Sequence, residues 1–229
     1  NVGIAHIENM GSREAIALEK GMLAEAVHEK GVVVLQANDD FTPSIARRCR
    51  ARVVQAGIGL GDVAALNLRA TADGTSFILD FSGEKLESFL PVPGEHMVGN
   101  AALAAALGWQ SGIAPAEIVA ALSRARLTKG RLETKHIHGI TFLDDSYNAN
   151  PSSVRAGLDV LRSVGGSTWL VLGDMAELGD HAVQSHVQIG TYARECGVQR
   201  LFAIGPESSR AAEAFGTGAE WFPDAESLI

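Results

Sequence analysis

The sequence predicts an α/β protein built as two units, and three patterns carry that prediction. Val32-Val33-Val34-Leu35 is a continuous β-branched run of the kind that helices cover on both faces. A period-two alternation over residues 66–90 marks an antiparallel meander beside it. After Pro151, helix and strand patterns alternate in the order expected of a doubly wound unit. With 229 residues, 46% hydrophobic and 20% charged, the chain is long enough for two modest cores.

Residues 1–5 read as the end of a buried strand without an initiator methionine, so the chain is expected to be a fragment. Ser12 is placed to cap a helix whose apolar positions include Ile16, Leu23 and Val27, and Gly31 closes it. The β-branched strand, a short helix over residues 43–50 and a strand over 53–56 give β-α-β order, hence a parallel sheet. From Val63 onward Leu66, Leu68 and Ala70 alternate with Asn67, Arg69 and Thr71. Asp73-Gly74 then turns the chain, and Phe77, Leu79 and Phe81 alternate again. Gly83-Glu84 turns it once more into residues 86–90, and Pro91 and Pro93 end the meander. Residues 97–109 form an alanine-rich helix, and Pro115 opens another to about Arg124.

Strands over 131–137 and 140–143 meet at His138-Gly139. Then follow a helix (152–164), a strand (168–172), a helix (182–196), a strand (201–204) and a helix (208–215). Residues 224–229 stop as a new helical pattern begins, so the second unit is expected to be cut as well. The boundary is expected at Tyr147 to Pro151, giving domains 1–147 and 148–229 with the polar strand end in a cleft.

Several classes of function are excluded. A formal charge of -8 opposes the wrapping of nucleic acid, which needs a basic face. It leaves room for a nucleotide, whose phosphates need only local amides, a cation and one or two basic side chains. Cys49 and Cys196 lie far apart without metal-ligand spacing, which reads as two thiols in a reduced, cytoplasmic compartment. No apolar run approaches the ~20 residues of a membrane span. Gly173 and Gly179 are six apart and make no Gly-x-Gly-x-x-Gly fingerprint.

Chemistry concentrates in two stretches. In Leu143-Asp144-Asp145-Ser146-Tyr147-Asn148-Ala149-Asn150-Pro151 an apolar strand runs into acids and amides before a helix starts. Carboxylates there can hold a ribose, a metal ion or a cation, and each asparagine offers a donor and an acceptor face. The plainer reading makes Asp144, Asp145 and Asn150 turn formers and caps. In Gly173-Asp174-Met175-Ala176-Glu177-Leu178-Gly179, the acids between strand and helix favour recognition of an amine over a phosphate. His186, one or two turns on, is either a helper there or a packed histidine. His6 and Glu8 follow the first strand, and Lys20 lies in the first helix; taken alone they read as a surface histidine and a helix lysine paired with acids. Arg131 at a strand start reads alone as a solvated edge charge.

These residues together resemble the Mur ligases of bacterial cell-wall synthesis. The resemblance runs from His6 to about Gly205 in the family's order, and rests chiefly on the 144–151 and 172–179 stretches. It implies part of a P-loop-type central ATPase domain with an antiparallel edge meander, then part of a Rossmann-like C-terminal domain. It further implies an ATP-dependent ligase that joins D-alanyl-D-alanine to a UDP-linked muramoyl peptide, acting as a monomer. Acceptors of sibling enzymes, a glutamate chain as in folate ligases, and a silent nucleotide-binding module remain alternatives. In the family's pattern His6 binds magnesium, and Lys20 is carbamylated into an anionic oxygen ligand. A carbamate forms only on a partly neutral amine, which burial promotes. His96 and Asn100 meet the nucleotide, with Asn100 at adenine, although Met97 replaces the family's first asparagine. Arg131 also faces the nucleotide, Asp145 the ribose, and Asn148, Asn150, Asp174 and Glu177 the amino substrate.

No Gly-x-x-x-x-Gly-Lys-Ser/Thr loop occurs in the chain. The 229-residue chain alone is therefore expected to give no turnover when ATP, acceptor and D-alanyl-D-alanine are supplied. Release of inorganic phosphate above background would contradict this.

Overall fold

A computed structural model describes residues 1–4, 7–71, 74–126 and 128–229, so His6 and Asp73 lie outside the described residues. The chain divides into two compact units, Asn1–Gly3 with Arg13–Leu127, and Ile4–Ser12 with Thr128–Ile229. The sequence placed the boundary at 147/148, whereas the 133–144 strand pair groups with the second unit.

The first unit is a five-stranded sheet in the order β1 (Val32–Gln36), β2 (Arg52–Ile58), β3 (Val63–Thr71), β4 (Gly74–Phe81), β5 (Glu84–Leu90). β1, β2 and β3 are parallel neighbours, and β3, β4 and β5 form the antiparallel meander. The turn between β4 and β5 places Ser82 and Gly83 at φ 52° and 112°. Positive φ at both central residues matches the right-handed twist of a hairpin.

Helix α4 (Glu95–Gln110) buries Val98, Ala101, Ala102, Ala105 and Ala106 against the sheet. A face of alanines lets the helix axis approach closely, and Val54, Ala65, Leu79 and Phe81 fill the core beneath it. Helix α5 (Pro115–Leu122) starts on proline, as predicted, and adds Ile118 to the same cluster.

Helix α2 (Arg13–Ala26) buries Ile16, Ala17, Gly21 and Ala24, while Leu23 is 79% exposed. The predicted apolar side is thus wrong at Leu23. The helix turns its small residues toward α3 (Thr42–Ala46) and the residues after it, where a Cβ on Gly21 would stand 1.9 Å from the Arg48 guanidinium. α3 itself ends before the predicted Arg50.

The second unit pairs β6 (Glu133–Ile137) with β7 (Ile140–Asp144) around His138 and Gly139, both at positive φ. Its main sheet is parallel, in the order β8 (Trp169–Gly173), β9 (Arg200–Ile204), β10 (Ala219–Phe222). β10 was not foreseen. Helices α6 (Pro151–Val164), α7 (Ala182–Glu195) and α8 (Ser209–Phe215) bury Leu158, Ile189, Ala193, Ala211 and Phe215 with Leu172, Leu201 and Ala203 of the sheet. A further short helix, α1 (Ile7–Met10), belongs to this unit. Among the described residues no helix is long and apolar enough to cross a membrane.

α7 and α8 touch at Gly190, where an added Cβ would sit 2.1 Å from the Ala211 carbonyl oxygen. Backbone cannot retreat as a flexible side chain can. Gly190→Ala is expected to lower the stability of the second unit by about 2–3 kcal/mol. Denaturant unfolding followed by tryptophan fluorescence and by amide exchange at Ile189 and Leu201 would measure it.

Candidate functional site

β7 delivers its last residue, Asp144, into a turn that its own carboxylate organises. Asp144 Oδ1 accepts from the Ser146 backbone N–H at 3.1 Å and from Ser146 Oγ at 2.6 Å. Its Oδ2 accepts from Lys135 Nζ at 2.5 Å across the hairpin. These bonds make Asp144 a turn former, as the plainer reading had it.

Asp145 is placed differently. Its Oδ1 accepts from the Leu132 N–H at 3.2 Å, and Leu132 is buried with a left-handed φ of 51°. An added Cβ on Gly157 of α6 would stand 3.8 Å from Oδ2. Asp145 thus ties the strand end back to residue 132 and lies beside α6.

Residues 130–132 and 145–147 are laced together. The Tyr147 N–H donates to the Gly130 carbonyl at 2.9 Å, and Gly130 holds φ 71°. The Arg131 guanidinium lies 4.3 Å from the centre of the Tyr147 ring. Both side chains are exposed. They form a flat, cationic and aromatic surface of a kind suited to a heterocyclic base. Tyr147 was not chosen from sequence, although it sits inside the motif that was.

Asn148 bends its Oδ1 back to the Ala149 N–H at 2.9 Å. Asn150 caps α6, with Oδ1 accepting from the N–H groups of Ser152 and Ser153 at 3.0 Å each. Ser153 Oγ accepts from the Asn150 N–H at 3.0 Å, completing a reciprocal capping box. The acceptor face of Asn150 is therefore committed to the helix.

Between β8 and α7, Met175 and Leu178 are each 2% exposed and anchor the loop in the core, while Asp174, Ala176 and Glu177 stand outside. Asp174 Oδ1 accepts from the Ser208 N–H at 2.7 Å and meets Ser208 Oγ at 2.5 Å. Ser208 lies 34 residues further on, and no local signal marked it. Glu177 holds φ 60°, and its carbonyl accepts from the Glu8 N–H at 3.3 Å. His186 is fully buried. Its Nε2 accepts from the Met175 N–H at 3.1 Å, and its Nδ1 lies 2.8 Å from the Ala182 carbonyl. His186 is thus a packed histidine, the second of its two sequence readings.

The remaining candidates sit in the first unit. Lys20 is exposed on α2, so the burial expected to favour its neutral form is not found. His96 and Asn100 are exposed in the opening turns of α4, which follows Gly94 at φ 104°. The Asn100 Nδ2 lies 4.0 Å from Met97 Sδ. Within each unit these groups, apart from Lys20 in the middle of α2, are brought to helix starts, strand ends and the loops that follow them. Among the described residues no cluster of three or more His, Cys, Asp or Glu is arranged to hold a metal ion.

Two family models match the chain, "Mur ligase middle domain" over residues 1–108 and "Mur ligase, glutamate ligase domain" over residues 130–229. The chain is 34% identical over 233 residues to the "UDP-N-acetylmuramoyl-tripeptide--D-alanyl-D-alanine ligase" of Escherichia coli (strain K12), covering 100% of this chain and 51% of that protein. It is 38% identical over 237 residues to the ligase of the same name from Mycobacterium tuberculosis (strain CDC 1551 / Oshkosh), covering 95% and 46%. A crystal structure of MurF from Acinetobacter baumannii superposes with a TM-score of 0.91 at 33% identity, covering 97% of this chain and 49% of that one. The MurF ligase from Thermotoga maritima in complex with ADP gives 0.86 at 20% identity, covering 96% and 51%, a likeness of fold alone. The chain spans about half the length of these relatives.

Lys135 foremost, then Ser146, pull the Asp144 carboxyl down from 3.8 to about 2. A depressed carboxylate contributes stability that is present above the unfolded value and lost as pH falls through the folded one. The β6–β7 hairpin is therefore expected to weaken between about pH 4 and pH 2 in the native chain. Asp144→Asn should flatten that pH dependence, read as amide-exchange protection of Lys135 and Phe142. An unchanged pH profile in the variant would contradict this.

Proposed function

Because the chain belongs to the Mur ligase family, we propose that it carries the nucleotide-facing and amine-facing parts of an ATP-dependent ligase that adds D-alanyl-D-alanine to UDP-N-acetylmuramoyl-tripeptide. The observation that carries the proposal is the name shared by relatives 31–38% identical across at least 93% of this chain. In that reaction the acceptor carboxylate takes the γ-phosphoryl group of ATP and ADP leaves. The dipeptide amine then attacks the acyl carbon and expels inorganic phosphate.

The residues divide between two tasks. Asp145, bonded to Leu132 next to Arg131, receives ribose hydroxyls. The stacked Arg131 and Tyr147 offer the nucleotide a flat cationic face. Asn100, with His96 one helical turn earlier, meets the adenine. Asp174 and Glu177, two exposed acids of the β8–α7 loop, hold the dipeptide's amino group, with Asn148 and the donor face of Asn150 toward its polar backbone.

Magnesium, with His6 and a carbamylated Lys20 as its ligands, belongs to this reading by family likeness. The described residues do not assemble a cluster that fits the ion. The same reading places the protein in the cytoplasm as a monomer.

Glu177 allows a clean test, because its left-handed backbone favours glycine. Glu177→Gly relieves up to about 1 kcal/mol of backbone strain while deleting the carboxylate and its contacts. In an NMR titration of the 229-residue chain, D-alanyl-D-alanine should shift the amides of residues 174–179, and ATP those of Arg131, Asp145 and Tyr147. The glycine variant should bind the dipeptide about tenfold more weakly, as loss of one charged hydrogen bond implies. Equal affinity would remove Glu177 from the site, and absence of any dipeptide shift would overturn the amino-substrate assignment.

A further inference from the structure

Among the described residues the β8–α7 loop is held at Asp174, Met175 and Glu177, and a buried ionisable side chain holds the middle one. At one end Asp174 is held by Ser208, and at the other the Glu177 carbonyl is held by the Glu8 N–H. Between them the Met175 N–H points into the core, where a buried donor must find an acceptor. His186 Nε2 supplies it at 3.1 Å.

The ring cannot turn away from this task. Its Nδ1 lies 2.8 Å from the carbonyl of Ala182, one helical turn back on α7. A carbonyl only accepts, so Nδ1 carries the hydrogen and Nε2 presents a lone pair. The side chain is 0% exposed, and Met175, whose N–H it meets, is 2% exposed. The same ring thus fixes the backbone from which Asp174 and Glu177 project, one residue before and two residues after Met175.

We propose that His186 is a positioning residue for recognition of the amino substrate: its Nε2 lone pair fixes the Met175 amide and thereby the spacing of the Asp174 and Glu177 carboxylates. This rests on the reading that the loop faces the dipeptide amine. His186 touches no substrate. It acts through the loop, so its removal loosens binding while the sheet and helices of the unit persist.

The experiment is an NMR titration of the intact 229-residue chain with D-alanyl-D-alanine, together with amide exchange, for the native protein, His186→Leu and His186→Gln. Leucine fills comparable space without an acceptor. Glutamine carries its Oε1 near the position of Nε2 and can accept from Met175. For His186→Leu the expected result is a dipeptide affinity about tenfold weaker and Met175 exchange at least tenfold faster, the scale of one lost buried hydrogen bond. Protection at Ile189 and Leu201 should not change. Glutamine should restore affinity to within about threefold of native, since it rebuilds the same bond.

Native affinity in His186→Leu overturns the proposal, as does a loss of protection spread evenly over Ile189 and Leu201, which marks a purely structural role. Should the leucine variant fail to fold, His186→Asn makes the same test. Its shorter amide keeps the bond to Ala182 but stops short of Met175, and unweakened binding then overturns the proposal. If the native chain takes up no dipeptide, the amino-substrate reading falls and the proposal falls with it. If the native chain and His186→Leu bind equally, the positioning role alone falls.

Discussion

Where a strand ends, its backbone N–H groups lose their ladder partners before a helix can supply new ones, and in the second unit side chains fill that gap. Asn150 takes two orphan donors at the start of α6, Asp174 takes the Ser208 N–H ahead of α8, and His186 takes the Met175 N–H. An unmet buried donor costs about 1–3 kcal/mol, a large share of the roughly 5–15 kcal/mol that holds a domain together. His186, which meets the buried donor, is therefore required by the fold before any ligand is considered, and Asn150 and Asp174 serve it as caps.

That requirement divides the labour within each motif. Asp144 and Asp145 are neighbours of identical chemistry, yet Asp144 is bound by Lys135 and Ser146 while Asp145 reaches back to the Leu132 N–H. Asn150 spends its oxygen on the cap and retains only its amide hydrogens. In the β8–α7 loop Met175 and Leu178 anchor the chain so that Glu177 can stand exposed on a strained, left-handed backbone. Rigidity at such a loop comes from core anchors and buried hydrogen bonds, which is what holding a charged group at a fixed spacing demands.

Much of this could be read from sequence because it depends on local periodicity. The β-branched run, the alternating meander and the alanine-rich helix all appear where their patterns fall. What escaped depends on partners distant in sequence. Leu23 looked apolar enough for the core, but α2 turns toward the residues around Arg48 and exposes it. Residues 4–12 group with the second unit, an allegiance set by contacts such as Glu8 with Glu177 that no window of sequence contains. Ser208 finds Asp174 across 34 residues. The motif from Asp144 to Pro151 was legible as a site, but which of its groups the fold would consume was not, because capping and binding draw on the same residue types.

α4 solves the opposite problem in the first unit. Its alanines bury one side so closely that the helix is fixed against the sheet with little side-chain entropy to lose. Its first turns emerge from Gly94 at a left-handed φ, with His96 and Asn100 exposed. A long side chain on a well-packed helix inherits the precision of the helix, whereas one on a loop needs added pins such as His186 and Ser208. The two units thus present polar groups by different means, one from a helix that packing alone makes rigid, the other from a loop made rigid bond by bond. The loop is the more vulnerable of the two, because its order rests on single hydrogen bonds whose loss the surrounding core does not replace.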